Sequence, residues 1–258
     1  MRSAESMLEA ENVSVVYEGG FTALDQASVR LAAGAVTGLI GPNGAGKSTL
    51  FGVLAGAVRP VGGEVRLAGE VVTQHGPVWR ARRGLARTFQ LSRELSSLTV
   101  LENILVARPH APGERLTSLL MSWRAVRDDE GAAVEKARAL LQRVDLWKLA
   151  DAPASTLSGG QKKLLEICRA LMLDPQIVLM DEPSAGVNPT RISEIVEFVQ
   201  VLRQEGTTFG LVEHNMGMVR ALCDHVYVLA EGQVLTEGRF DEVITNAQVA
   251  SAYLGAQP

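Results

Sequence analysis

The sequence predicts an α/β fold: a mostly parallel sheet with helices on its faces, joined to a small antiparallel β layer. Three observations carry that prediction. Strand-like and helix-like segments alternate after Gly160. Short strands bounded by glycine occupy the N-terminal part of the chain. Between these regions a glycine-rich loop joins an apolar strand to a helix.

The elements follow in order. Glu11 to Tyr17 alternates with period two, which places Val13, Val15 and Tyr17 on one face of a strand. Ala27–Leu31 and Glu64–Ala68 are further short strands, and these form the antiparallel layer around the strand Val36–Ile40. That strand is a short continuous apolar run, so it is expected to be buried. Leu50–Ala55 reads as a helix. Val134, Ala137, Leu140, Leu141 and Val144 have helical spacing, which predicts a helix over Ala132–Val144. Ile177–Met180, Thr208–Val212 and Val226–Leu229 read as strands, with helices at Arg191–Gln204 and Met216–Ala221. Pro109–Glu130, with Pro112, Gly113 and the charged run Arg127–Glu130, reads as an inserted, solvated surface excursion.

Composition narrows the class. A chain of 258 residues with 47% hydrophobic content builds one large domain or two small ones around a sizeable core. A net charge of −4 gives no sign of a nucleic-acid partner. No apolar run approaches the length of a membrane span, and Met1–Ser6 lacks the apolar stretch of a secretion signal. The two cysteines, Cys168 and Cys223, are expected as small core residues rather than a disulfide.

The loop between strand and helix is Gly41-Pro42-Asn43-Gly44-Ala45-Gly46-Lys47-Ser48-Thr49, which matches GxxxxGK[ST] without a mismatch. Its glycines let backbone N–H groups turn inward to cradle phosphate oxygens, and the helix N-terminus adds a positive dipole end. Gly41, Asn43, Gly44, Gly46, Lys47, Ser48 and Thr49 are therefore the candidate nucleotide-binding residues. Lys47 is expected to reach the β- and γ-phosphates, and the Ser48 hydroxyl to ligate Mg²⁺. Ile177–Glu182 is an apolar strand ending in two acids. Asp181 is placed to hold Mg²⁺ through water, and Glu182 to point at an attacking water as general base or water-positioner. Leu157-Ser158-Gly159-Gly160-Gln161 opens a helix over Lys162–Met172 and forms a second anion-facing helix start.

These motifs resemble the ATP-binding subunits of ABC transporters, from about Leu8 to Gly255, with Leu157–Gln161 as that family's signature. The resemblance implies a P-loop NTPase core, with the signature carried on a helical subdomain. It divides an ABC ATPase domain over 7–255 into a RecA-like core at about 7–90 and 174–240, a helical subdomain at about 91–173, and a C-terminal helical end at 241–255. It also implies further roles. Gln90 would contact Mg²⁺ and the attacking water, His214 the γ-phosphate, and Tyr17 the adenine. Ser184–Pro189 would form the D-loop, with Asn188 where many members carry an acid. In this family two subunits pair head to tail, so that the P-loop of one and Ser158, Gly159, Gly160 and Gln161 of the other sandwich each ATP.

The implied partners are transmembrane permease subunits, a second ATPase subunit of the same or a different chain, and a solute-binding protein, at the cytoplasmic face of the membrane. Arg87–Gln90, Leu98–Asn103, the excursion at Pro109–Glu130, Gly186–Pro189, Glu213–Met216 and Ala252–Gly255 resemble the ATPases of branched-chain (hydrophobic) amino acid importers. Gly159 and Asn215 depart from that pattern, where Tyr and Asp are usual. An ABC exporter or lipid-extraction ATPase shares the catalytic motifs, as does a soluble non-transport ABC ATPase. The segment Gln90–Asn103 is expected to meet a permease helix through Leu91, Leu95, Leu98 and Val100, with Arg93 and Glu94 setting register.

Overall fold

The structure, a computed structural model, describes residues 6–88, 97–108 and 123–254. Two sheets form the frame. The first is antiparallel, in the order β2-β1-β4-β5: β1 Ser6–Val16, β2 Thr22–Ala32, β4 Gly62–Leu67 and β5 Glu70–Val71. The second contains β3 Val36–Ile40, β6 Leu85–Arg87, β7 Ile177–Asp181, β8 Thr208–Val212, β9 His225–Ala230 and β10 Gln233–Gly238. Its order is β10-β9-β3-β8-β7-β6, parallel throughout except for β10 against β9.

The strand β3 sits inside the parallel sheet, not inside the antiparallel layer that was expected to surround it. The two sheets are stacked rather than nested. Leu8, Val13, Leu24, Leu31 and Val65 of the first sheet share a core with Leu50, Phe51 and Leu54 of helix α1, Lys47–Ala55. Leu39, Leu179 and Val212 close that core from the second sheet.

The parallel strands are short and buried on both faces, so their residues alternate between two cores. In β7, Ile177 and Leu179 face α1, while Val178 and Met180 face the opposite layer. That layer contains α3 Val100–Leu105, α4 Trp123–Arg143, α5 Gly159–Leu171 and α6 Ile192–Gln204. The short helix α2, Pro77–Ala81, precedes β6. A third cluster joins Ile40, Val226 and Val228 to Val219 of α7, Met216–Leu222. Val243 of α8, Phe240–Ile244, and Val249 of α9, Ala247–Leu254, complete it.

Two expectations change here. The charged run Arg127–Glu130 belongs to the first half of α4 and is not part of an irregular excursion. Arg127 and Glu130 are good helix formers, the two aspartates between them are carried by the surrounding helix, and Asp129 pairs with Arg108 beyond α3. Residues 109–122 lie outside the described residues. Val100 is not a surface contact: it is fully buried in the helical layer, one residue after the Thr99 that caps α3 through a reciprocal pair with Glu102. Leu91, Arg93, Glu94 and Leu95 lie outside the described residues. Cys168 is buried, Cys223 is partly buried, and both are free thiols that burial pushes up to about 12.

Candidate nucleotide site

The loop Gly41–Gly46 leaves the C-terminal end of β3 and enters α1 at Lys47. Gly46 has φ of 99°, and a Cβ there would lie 2.5 Å from the Ala23 carbonyl oxygen, so only glycine permits the turn at this spacing. Asn43, Gly44 and Ser48 are exposed, leaving the loop open to a ligand. Thr49 is half-buried, and its hydroxyl lies 3.3 Å from the Tyr17 hydroxyl.

Tyr17 stands just past the end of β1 and is 45% exposed. It therefore does not share the buried face of Val13 and Val15, as strict alternation predicts. The strand ends at Val16 and the chain turns, with Gly20 donating to the Tyr17 carbonyl. The ring is left free at the mouth of the loop.

Lys47 is buried and folds back on its own loop. Its ammonium donates to the carbonyls of Gly41 at 2.9 Å and Pro42 at 2.8 Å. Burial lowers its pKa, while the nearby Glu182 and Asp181 charges act in the opposite direction. Those carbonyls are replaceable partners: a phosphate oxygen offers the same acceptor with a full negative charge.

Asp181 ends β7 and is 7% exposed. Its Oδ2 accepts from Arg87 Nη2 at 2.9 Å. Glu182, the next residue, turns out of the strand with φ of 48°, and its amide donates to the Val212 carbonyl at 2.9 Å. This left-handed residue brings its carboxylate to His214, whose Nε2 lies 3.2 Å from Glu182 Oε1. Both side chains remain partly open to solvent.

Glu213 holds this arrangement from below. It is 1% exposed and accepts three backbone amides, those of Ser184 at 2.7 Å, His214 at 2.7 Å and Asn215 at 2.8 Å. The loops after β7 and β8 are thus tied by one carboxylate. Arg80 supports the site from behind. It is fully buried and donates to Val53 and Leu54 at the C-terminal end of α1, and to Val72 and His75. A cation there complements the negative end of the α1 dipole.

The residues named from the sequence therefore fall into two groups. Gly41, Asn43, Gly44, Gly46, Lys47, Ser48, Thr49, Asp181, Glu182 and His214 lie at the C-terminal edge of neighbouring parallel strands, with Tyr17 at the rim. Such an edge is where open α/β sheets bind ligands. Ser158, Gly159, Gly160 and Gln161 form the other group, at the start of α5. A Cβ on Gly159 would lie 2.3 Å from the Gly186 oxygen, and one on Gly160 3.3 Å from Arg191 Cβ. Ser158 and Gln161 form a reciprocal cap: the Gln161 amide donates to Ser158 Oγ, and the Ser158 amide to Gln161 Oε1. Because Ser158 Oγ only accepts within this cap, its own O–H is free to donate outward. Gln90 lies outside the described residues.

Sequence reasoning assigned no role to Glu213, Arg87 or Arg80. An acid directly before His214 and a basic residue three before Gln90 were visible signals. Nothing local marks Arg80, whose partners lie up to 27 residues away.

Fold and loop together define a P-loop nucleotide hydrolase. Comparison with known proteins makes this specific. Residues 24–185 match the family described as ABC transporter. The probable branched-chain amino acid transport ATP-binding protein LivG of Methanocaldococcus jannaschii is 41% identical over 260 residues, covering 99% of this chain and 100% of that protein. The ADP conformation of the cassette MJ1267 matches with a TM-score of 0.84 at 38% identity, covering 97% of this chain and 99% of that one. The dimeric post-hydrolysis state of MJ0796, bound to ADP and Pi, matches with a TM-score of 0.75 at 25% identity, covering 91% of this chain and 99% of that one. The chain belongs to the ABC transporter family. It is an ATP-binding, ATP-hydrolysing subunit of a transporter.

Proposed function

We propose that this ATPase powers the import of branched-chain or other hydrophobic amino acids. The observation that supports this reading is near-full-length similarity to an ATP-binding protein of branched-chain amino acid transport. No helix among the described residues is long and apolar enough to cross a membrane, so the solute path would belong to separate permease subunits. The chain would sit on the cytoplasmic face of the membrane beside them, with a solute-binding protein completing the system. The division into a RecA-like core at about 7–90 and 174–240, a helical subdomain at about 91–173 and a C-terminal end at 241–255 is part of the same proposal.

Nucleotide chemistry would proceed from the residues already described. The loop amides and Lys47 receive the β- and γ-phosphates, Lys47 exchanging the Gly41 and Pro42 carbonyls for phosphate oxygens. Tyr17 offers its exposed ring to the adenine. Ser48 would offer Mg²⁺ its hydroxyl oxygen, Asp181 would hold the ion through water, and Gln90 would contact it; Ser48 adjoins Lys47 in sequence, and the Asp181 charge acts on the same lysine. When bound, Mg²⁺ would neutralise charge on the β- and γ-oxygens. Glu182 would accept a proton from the attacking water, with His214 positioned to hold both that carboxylate and the γ-phosphate. A second ATPase subunit would present Ser158–Gln161 to this site. The dimeric relative bound to ADP and Pi supports the pairing.

A permease helix would dock in a cavity of about 410 Å³, lined largely by apolar groups that include Ala57, Val78, Leu85, Ala170 and Leu173. Its wall includes Arg87 and Thr88, the residues that lead towards Gln90.

The test is uptake of labelled leucine, isoleucine and valine into vesicles containing the reconstituted transporter. Uptake should require ATP and stop with Glu182→Gln in this chain. ATP-driven transport that excludes every hydrophobic amino acid would overturn the substrate assignment and leave the ATPase intact.

A further inference from the structure

Arg87 joins two regions: it pairs with Asp181 at the nucleotide edge and lines the wall of the apolar cavity. Asp181 is nearly buried, and a carboxylate in that setting requires a counter-charge. Among the described residues, Lys47 and Arg87 are the cations that act with it. Lys47 is committed to the carbonyls of Gly41 and Pro42, so the direct contact falls to Arg87 at 2.9 Å. This contact is a single N–H···O bond to Oδ2, not the two-pronged pairing an arginine can make. The Arg87 Nε is buried without a hydrogen-bond partner among the described residues. A one-pronged pair whose Nε has no partner among the described residues is poised for exchange.

Arg87 also ends β6, where it is in register with Leu179 of β7, and the following amide, Thr88, donates to the Leu179 carbonyl. Arg87 and Thr88 line the cavity together with Val78, Ala170 and Leu173. A change of partner at Asp181 therefore acts on a residue whose backbone forms the cavity wall.

We propose that Arg87 is a positioning residue: it holds the Asp181 carboxylate while no divalent ion is present, yields it when the ion binds, and so transmits ion occupancy to β6. The proposal rests on the nucleotide-site reading above. A divalent ion carries twice the charge of the guanidinium and would call on the same carboxylate through its bound water, so the two compete.

The competition is measurable without turnover. Mn²⁺ is titrated into the ADP complex of the full chain and followed by the loss of free-ion paramagnetic resonance. Arg87→Met should bind Mn²⁺ roughly 3- to 20-fold more tightly than the wild type, because the competing cation is gone. Arg87→Lys, which restores a cation, should return towards the wild-type value. ADP affinity in EDTA should be unchanged in all three proteins. Equal or weaker Mn²⁺ binding by Arg87→Met, with ADP binding intact, overturns the proposal. Absence of ADP binding by the wild type would overturn the nucleotide-site reading instead. A second measurement needs no variant: amide exchange of the Leu85–Thr88 peptide, with ADP alone and with ADP plus Mg²⁺. Altered exchange on adding the ion is expected, and identical exchange overturns the transmission to β6.

Discussion

The carboxylate of Glu213 accepts the amide of Ser184 at 2.7 Å, although the two residues are 29 positions apart. The bond crosses from the loop after β8 to the loop after β7. It therefore fixes the segment that follows Glu182 relative to the segment that carries His214. Glu213→Gln should disturb it, because an amide NH₂ would face the backbone donors of His214 and Asn215. Leaving a buried donor unmet costs about 1–3 kcal/mol. Turnover is expected to fall about 10-fold or more, with ADP affinity nearly unchanged. Steady-state ATP hydrolysis in the assembled transporter checks this, and an unaltered rate would remove Glu213 from the mechanism.

Glu182→Gln removes the carboxylate that would accept the water's proton but preserves side-chain shape. Hydrolysis should drop by on the order of 10²–10⁴, with ATP-bound dimers accumulating. Single-turnover kinetics in the assembled complex separate this from a binding defect. A variant that hydrolyses at the wild-type rate would show that another group is the base.

Lys47 gives a pH dependence whose direction follows from its surroundings. Its charged form binds phosphate, and burial lowers its pKa from 10.5. Nucleotide affinity should be full below that lowered value and fall as pH rises through it. Asp181→Asn deletes a charge that raises the Lys47 pKa, so the fall should move to lower pH. Folding has the opposite sign. The unfolded chain holds this proton more tightly, so the Lys47 contribution to stability grows with pH between the lowered value and 10.5. ADP titrations in EDTA across the alkaline range test the binding curve. Superimposable curves for the two proteins would contradict the electrostatic account.

Arg80→Met leaves the carbonyls of Val53, Leu54, Val72 and His75 without their shared donor. Burial holds the guanidinium pKa down at about 10, yet its four acceptors explain why the cation is retained. A loss of about 3–5 kcal/mol is expected, comparable to breaking a buried charged pair. Denaturant unfolding measures it; a change below about 1 kcal/mol would mean that α1 does not depend on this anchor.

Ser158→Arg would set a bulky cation at the start of α5. ATP binding by the isolated chain should survive, since Ser158 packs within the signature cap and not on Lys47. Dimerisation driven by ATP, and hydrolysis, should fail. If monomer affinity falls as far as in Lys47→Ala, the proposal that Ser158 serves the partner's nucleotide is wrong.

What the sequence shows and what it conceals divide along the range of the interactions. The P-loop, β3 and α1 are legible because their pattern is local: an apolar run, a motif and a helix within twenty residues. β7, β8 and β9 are legible because parallel strands buried on both faces read as continuous apolar runs. The placement of β3 is not, since strand neighbours are chosen by packing far along the chain. Arg127–Glu130 looks like surface in either a loop or a helix, and composition alone does not separate them. Tyr17 leaves its expected face because the turn begins one residue earlier than alternation implies. Glu213 and Arg80 acquire their roles only when distant backbone atoms converge on them.

Gly159 has a further meaning. The Gly186 oxygen fills the space where a side chain would begin, so this chain has closed its own helix start against the loop that follows Glu182. A relative with Tyr at this position must carry the Gly186 segment on a different path. The identity of residue 159 therefore reports how that loop lies against the signature helix, and Glu182 and Lys47 remain the positions to inspect for evidence of a working enzyme.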